Sequence, residues 1–358
     1  MKEPIDLFYR TKGTFKVINL IVQKNKKVCY NIIGDYMIYI ENKSVDPSFN
    51  FALEEYFLKN TDQSVFMIWQ NEPTILIGRN QNLKLEVDTD FTSKNNIHII
   101  RRLSGGGTVY CDLNNCQYSI IGKNTGEANS FQTFARPVVE ALKKLGLDAE
   151  FTGRNDILID GKKVSGNAQY KWRDRIIHHG TLLFGADMKL LQGSIKTRDI
   201  KFVDKSVKSV SSRIGQIGSM VDMDVQEFIN YIRDNLIEFH NIKEFRPPTE
   251  AEIEEANKYL KDFPDLMNDQ SSLEAQHYYA VKYPFGLVEY FVEVDGDRIE
   301  NIKMAGDFFE ERDIKEFLTG LRGMNINDLA KAKLDIEKYI LGFKEEYFIN
   351  DILKAIKE

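Results

Sequence analysis

The chain is 358 residues long, with 42% hydrophobic and 28% charged residues, which excludes a largely disordered polypeptide and, at roughly 100–200 residues per domain, favours two domains over one. A net charge of −6 gives no electrostatic case for general nucleic-acid binding. The longest apolar runs, such as 65–69 and 97–100, stop far short of the ~20 residues that span a bilayer, so no membrane segment is expected.

The first ten residues mix charges and lack an apolar stretch of the kind a secretory leader carries, which makes a cytoplasmic protein the expectation. Phe15–Val22 and Tyr36–Glu41 alternate apolar and polar residues around Gly34-Asp35, the pattern of a hairpin. Asp46-Pro47-Ser48 supplies a cap and a proline for the first turn of a helix over Phe49–Leu58. Phe66–Trp69 and Thr74–Ile77, separated by Asn71-Glu72-Pro73, read as another hairpin.

Ile97–Arg101 reads as a strand running into three glycines, and Gln117–Ile121 as the next strand. Ser130 opens an amphipathic helix that Gly146 ends. Ile157–Ile159 and Lys163–Ser165 flank Asp160-Gly161 as a tight hairpin, and Thr181–Phe184 reads as a further strand. Strands and helices do not alternate strictly, so the fold class is α+β, with a large mixed sheet, and not doubly wound. Composition shifts at 245–250, ahead of a charged helical segment, and strands at Leu287–Val294 and Ile299–Met304 then indicate a small α+β unit. The division is 1–250, a linker helix at 251–261, and 262–358, with a hinge placed near 245–262.

Two clusters carry chemistry. In Arg101-Arg102-Leu103-Ser104-Gly105-Gly106-Gly107-Thr108 the glycines let a phosphate or carboxylate approach backbone N–H groups, and Arg102 adds a planar charged fork. A flexible loop or bulge between strands is the alternative. The segment has neither the Gly-Lys-Ser/Thr ending of a Walker loop nor a GxGxxG spacing. The second cluster is Gly153-Arg154-Asn155-Asp156 with Lys163-Val164-Ser165-Gly166-Asn167-Ala168. The hairpin puts Asp156 and Lys163 on paired strands, one suited to Mg²⁺ and the other to anionic oxygens; a solvated surface hairpin is the alternative. His178 and His179 are adjacent on a strand and so point to opposite faces, against joint metal binding. Cys29, Cys111 and Cys116 lack CxxC spacing and read as free thiols.

Together with Asp46–Asn50, Ala52–Glu55, Trp69–Thr74, Ile77–Asn82 and His178–Leu183, these blocks resemble, in order, the lipoate–protein ligase A family of the biotin/lipoate ligase superfamily. Phe285-Gly286 and Gly306–Phe309 resemble that family's C-terminal accessory domain. The resemblance implies ATP-dependent conversion of lipoic acid to lipoyl-AMP, then transfer to a lysine of an apo lipoyl-carrier domain, either a 2-oxoacid dehydrogenase acyltransferase subunit or a glycine-cleavage carrier protein. It implies Lys163 as the catalytic residue touching both lipoate and adenylate. Arg102, Ser104, Gly105, Gly106, Gly107, Thr108, Val109, Tyr110, Asn155, Asp156, Gly166, Asn167 and Ala168 are implied for the nucleotide, with Asp156 on Mg²⁺. Cys111, Asn115, His179 and Gly180 are implied beside Lys163 in the lipoate pocket. Ile97–Ile100 and Leu182–Phe184 are expected to line the slot for the alkyl chain.

This chain departs from the family pattern at Cys111, where a histidine is usual, and at Asn114, where glycine is usual; residues 1–45 have no counterpart in the resemblance. Three other readings remain. A cofactor-free lipoyl or octanoyl transferase would use Cys111 or Cys116 as a thioester nucleophile. Biotin ligase has a related loop but not the Lys163–Ala168 block, and an inactive lipoate-binding protein would lack turnover.

Overall fold

In the computed structural model the described residues are 36–126, 130–196, 214–267, 269, 273–329 and 331–357. An eight-stranded mixed sheet forms the centre. Its strands in chain order are β1 (Met37–Ile40), β2 (Ser64–Trp69), β6 (Cys116–Lys123), β7 (Ala149–Thr152), β8 (Asp156–Ile159), β9 (Lys162–Trp172), β10 (Arg175–Leu182) and β11 (Glu244–Arg246). They lie in the order β11-β1-β2-β6-β10-β9-β8-β7, with β1 parallel to both β11 and β2 and the rest antiparallel. Strands β3 (Thr74–Ile77), β4 (His98–Arg101) and β5 (Val109–Cys111) make a separate small sheet in the order β4-β3-β5.

Alternation along β2 decides which core each side chain joins. Phe66 and Ile68 pack with Tyr118 and Ile120 under helices α2 (Ser130–Lys144) and α3 (Val225–His240). Val65, Met67 and Trp69 pack on the other face with Phe51 and Leu53 of α1 (Pro47–Lys59) and with Leu76 and Ile100 of the small sheet. Asp46 caps α1 by accepting from the Ser48 and Phe49 amides, with Pro47 in the first turn, as its sequence predicts.

The strand expected at Tyr36–Glu41 is β1, flanked by β2 and β11; Phe15–Val22, its expected hairpin partner, lies outside the described residues. The hairpin expected of 66–69 and 74–77 does not form, because β2 and β3 belong to different sheets. Asn50 accounts for the divergence: its Nδ2 donates to Gln70 O (3.0 Å) and Asn71 Oδ1 (2.9 Å), fastening the turn to α1. The Asp160-Gly161 hairpin does form, both residues having positive φ (50° and 73°) as a two-residue turn of this type requires. The strand expected at Thr181–Phe184 is instead the end of β10, which stops at Leu182.

The charged segment expected at 251–261 is helix α4 (Glu250–Asn257), followed by a 3₁₀ turn at Leu260–Asp262. Ala256 and Phe263 are buried in the same core as Phe51, so this stretch is packed on α1 and not free. The C-terminal unit is an antiparallel sheet of β12 (His277–Tyr283), β13 (Gly286–Asp295) and β14 (Arg298–Gly306) with helix α5 (Glu345–Lys357) against it. No helix among the described residues is long and apolar enough to cross a membrane.

Candidate active site

Residues 102–108 connect β4 to β5 and are held from inside by Arg102, which is 6% exposed. Its Nε donates to Ser104 Oγ (3.1 Å), Nη1 to Leu76 O (3.0 Å) and Nη2 to Gly105 O (2.9 Å) and Gly107 O (2.8 Å). Burial lowers its pKa to about 10, and no carboxylate among the described residues pairs with it. The adjoining segment closes in tightly: a Cβ at Gly78 would lie 2.0 Å from Gly106 O, so only glycine permits the approach. Gln81 Oε1 accepts from Gly78 N (2.8 Å) and Thr108 Oγ1 (3.1 Å), joining the two loops.

Beneath the loop, Ser104 Oγ is 2.7 Å from His179 Nε2, and His179 Nδ1 is 3.2 Å from both Glu54 oxygens. Glu54 also accepts from Ser119 Oγ, which in turn accepts from Trp69 Nε1 at 2.9 Å. A buried polar chain thus ties the loop to α1 and β2. His178 points to the opposite face, stacked on Phe134 at 5.3 Å, and burial holds its pKa down at about 3, so it is a neutral core residue.

On the facing strands, a register shift at Ile157/Leu158 sets Leu158 opposite Lys163. Lys163 Nζ lies 2.7 Å from Asp156 Oδ1. A Cβ at Gly166 would stand 3.1 Å from that Nζ and 3.2 Å from Cε, so glycine provides the floor on which the lysine tail lies. Asn155 and Asn167 lock the base of the hairpin reciprocally, Asn155 Nδ2 donating to Asn167 O (2.7 Å) and Asn167 Nδ2 to Asn155 O (3.0 Å).

These pieces line a partly open cavity. Arg102, Gly107, Thr108, Asn155, Lys163 and Asn167 give the lining its polar groups, and Phe51, Trp69, Leu76 and Val109 its apolar ones. Gly166, Ala168, His179 and Gly180 also line it. Ser104, Gly105 and Gly106 stand behind the lining as its support.

The expectations for Tyr110, Cys111, Asn115 and the alkyl-chain slot need correction. Tyr110 points away, into the core with Ile75 and Ile77, because it alternates with the lining residue Val109. Cys111 is fully buried in the core behind the cavity wall. Asn115 is likewise buried, its Oδ1 accepting from Phe184 N at 3.0 Å and its Nδ2 donating to Asp112 at 3.0 Å. Of the two departures, Cys111 lies in the core and Asn114 is exposed, and neither lines the cavity. Nor do 97–100 and 182–184 form the slot, since their apolar side chains fill the cores on either side; Phe51, Trp69 and Leu76 take that place, together with Gln117 and Thr181 on the sheet. Sequence reasoning assigned none of these five to the pocket, although Trp69 and Thr181 lie in blocks that carry the resemblance.

Burial pushes the Cys111 and Cys116 thiols well above their usual range, which removes them as nucleophiles. No cluster of three or more His, Cys, Asp or Glu suited to a metal occurs among the described residues. Mg²⁺ bound chiefly through substrate phosphates needs only one or two carboxylates, and Asp156, paired with the lining residue Lys163, is a carboxylate that could meet that need.

The C-terminal unit closes over the loop. Phe308 O accepts from Gly106 N (3.3 Å), and Gly306 N donates to Asn80 O (2.8 Å). Phe309 packs on Phe131 at 5.1 Å and beneath the Arg154 guanidinium at 4.5 Å. Arg79 pairs with Glu310 (3.0 Å) and Asp313 (3.1 Å).

The family described as "Lipoyl protein ligase A/B catalytic domain" matches residues 46–237, and that described as "Bacterial lipoate protein ligase C-terminus" matches residues 272–352. Lipoate-protein ligase LplJ of Bacillus subtilis is 36% identical over 330 residues, 88% of this chain and 99% of its own length. The crystal structure of P. falciparum LipL1 in complex with lipoate has a TM-score of 0.72 at 20% identity, covering 90% of this chain and 99% of that one, a likeness of fold. A lipoate-protein ligase A bound with ATP has a TM-score of 0.55 at 25% identity, covering 63% of this chain and 94% of that one.

Proposed function

The chain belongs to the lipoyl protein ligase family, and from that membership we propose that it activates lipoate with ATP and transfers the lipoyl group to a lysine of an apo lipoyl-carrier domain in the cytoplasm. Acyltransferase subunits of 2-oxoacid dehydrogenases and the glycine-cleavage carrier protein are the carrier classes proposed. The observation that carries this reading is one cavity lined both by Lys163 and the Arg102-braced glycine loop and by the apolar side chains of Phe51, Trp69 and Leu76. That mixed lining suits a carboxylic acid with a long apolar tail.

In the first step a lipoate carboxylate oxygen attacks the α-phosphorus of ATP. The new O–P bond forms as the bond to the departing pyrophosphate breaks, leaving lipoyl-AMP. Negative charge grows on the α-phosphoryl oxygens, and fixed cations and N–H groups stabilise it. Lys163 supplies such a cation on a β-strand, and the loop at Gly107 and Thr108 supplies backbone amides. Asp156 would hold Mg²⁺, which when bound shields the triphosphate charge. In the second step the carrier amine attacks the acyl carbon, AMP leaves, and the amine proton passes to solvent; Lys163 holds the acyl carbonyl in place. No protein nucleophile is required, in keeping with the burial of Cys111 and Cys116.

The test is incubation with lipoate, Mg-ATP and apo-carriers of each class. Pyrophosphate release without any carrier, followed by a lipoyl mass increase on one, is expected. Carrier modification from a pre-formed acyl-carrier without ATP would support the thioester transferase instead.

A further inference from the structure

We propose that Gln117 reads the far end of the acyl chain, favouring a dithiolane ring over a plain hydrocarbon tail. The inference rests on the ligase reading above and adds a specificity residue to it. Gln117 is 2% exposed, lines the cavity, and has no hydrogen-bond partner for either Oε1 or Nε2 among the described residues. A buried amide left unpaired on both atoms is uncommon in a native interior, and in a ligand cavity it marks where a ligand group belongs.

Its position in the sheet fixes which part of the ligand that is. On β6, Gln117 and Ser119 share the face toward α1, while Cys116, Tyr118 and Ile120 belong to the opposite core. Gln117 stands between Trp69 on β2 and Thr181 on β10, its cross-strand neighbours. Gly180 pairs with Asn167 of β9, so Gly166, with the Lys163 tail lying on it, sits one step along on the far side of β10. Gln117 and Gly166 are thus two strands apart, ~10 Å at the ~4.8 Å strand spacing. An extended eight-carbon acid spans about 9 Å end to end at ~1.25 Å per bond. A carboxylate at Lys163 therefore delivers the last carbons of such a chain to Gln117.

At that end lipoate carries two sulfurs, polarisable weak acceptors that an amide N–H can face, and the Trp69 ring alongside is a favourable neighbour for sulfur. Octanoate presents a methyl group there and leaves the Gln117 amide unpaired. A site built around a polar group discriminates against the analogue that fails to satisfy it; because sulfur accepts weakly, the discrimination expected here is modest, ~10-fold.

The experiment compares kcat/KM for acid-dependent pyrophosphate release with lipoate, octanoate and 8-hydroxyoctanoate. It uses the full-length enzyme, Gln117→Leu and, to guard against one badly folded variant, Gln117→Met, each checked by thermal melting. The unaltered enzyme should prefer lipoate to octanoate by about tenfold or more, and 8-hydroxyoctanoate should also exceed octanoate. Both variants should bring the three acids close together, chiefly through a gain with octanoate. An unchanged lipoate-to-octanoate ratio in the folded variants, or an equal loss with all three acids, overturns the role of Gln117. An unaltered enzyme that releases no pyrophosphate with any acid overturns the ligase reading itself, and the proposal with it.

Discussion

Replacing Gly105 by alanine isolates the contact that holds the C-terminal unit over the glycine loop. The added Cβ would lie 2.2 Å from Phe308 O, against an ordinary contact of 3.4 Å, so the two must separate by 3.4 − 2.2 = 1.2 Å. Gly105 does not have positive φ, so alanine suits its own backbone. Its carbonyl is also held by the buried Arg102 Nη2 at 2.9 Å. The yielding side is therefore the C-terminal unit. Moving it breaks the Gly106 N to Phe308 O bond and draws Phe309 away from Arg154. The hydrogen bond is worth about 1 kcal/mol and the cation–π contact ~0.5–2 kcal/mol. A shift of ~1.5–3 kcal/mol toward the undocked arrangement corresponds to roughly 10- to 150-fold. Small-angle scattering should show a larger radius of gyration, and hydrogen exchange at the Gly106 and Gly306 amides should accelerate, with the melting of the larger unit little changed. Scattering and exchange identical to those of the unaltered chain would refute the argument that this single approach sets the docking.

Lys163→Ala should fold normally. The Lys163–Asp156 pair is about a third exposed on each side (36% and 34%), so its loss costs ~0–1 kcal/mol of stability. Removing the positioned cation should lower adenylation by ~10²–10³-fold; unimpaired turnover, or a collapse of the melting temperature, would count against the role assigned. Cys111→Ala and Cys116→Ala should each retain most of the adenylation activity per folded molecule, and loss of turnover in a folded variant would revive the thioester reading. Burial depresses the folded-state pKa of His178 to about 3 and of His240 to about 4, below the ~6.5 of an unfolded histidine. Their contribution to stability is present above ~6.5 and lost as pH falls through the folded values, because the unfolded chain then binds protons that the folded one refuses. Burial raises the carboxyls of Glu55, Glu310 and Asp351, which acts in the other direction, so the clean measurement is a difference. Between pH 5 and 6 the urea-derived stability of His240→Gln should depend on pH less steeply than that of the unaltered chain, by about one proton. Equal slopes would show that His240 is not buried as a neutral ring.

What was legible in the sequence was local. Asp46 and Pro47 announce the start of α1, Asp160-Gly161 announces a two-residue turn, and Gly105–Gly107 announces a close backbone approach, each because one residue type meets a backbone demand within a few positions. The polar half of the cavity was legible for the same reason, being built from two contiguous segments around Arg102 and Lys163. The apolar half was not. Phe51, Trp69, Leu76 and Val109 come from four separate elements, and nothing in their local sequence distinguishes a side chain facing a cavity from one facing a core. The long apolar runs drew the expectation instead, and they proved to be buried on both sides. Asn50 illustrates the same limit: its hold on the turn after β2 directs β3 into another sheet, a consequence of a contact spanning some twenty residues and not of the turn's own composition.

Arg102 is a cation buried in the wall, donating to three backbone carbonyls and to Ser104 Oγ, with its charge left unanswered by any carboxylate among the described residues. A bound anion near this buried guanidinium would offset its charge. Occupancy and folding are consequently coupled through mass action: a ligand at a hundred times its dissociation constant raises stability by ~2.7 kcal/mol. Anionic ligands of this site are therefore expected to raise the melting temperature.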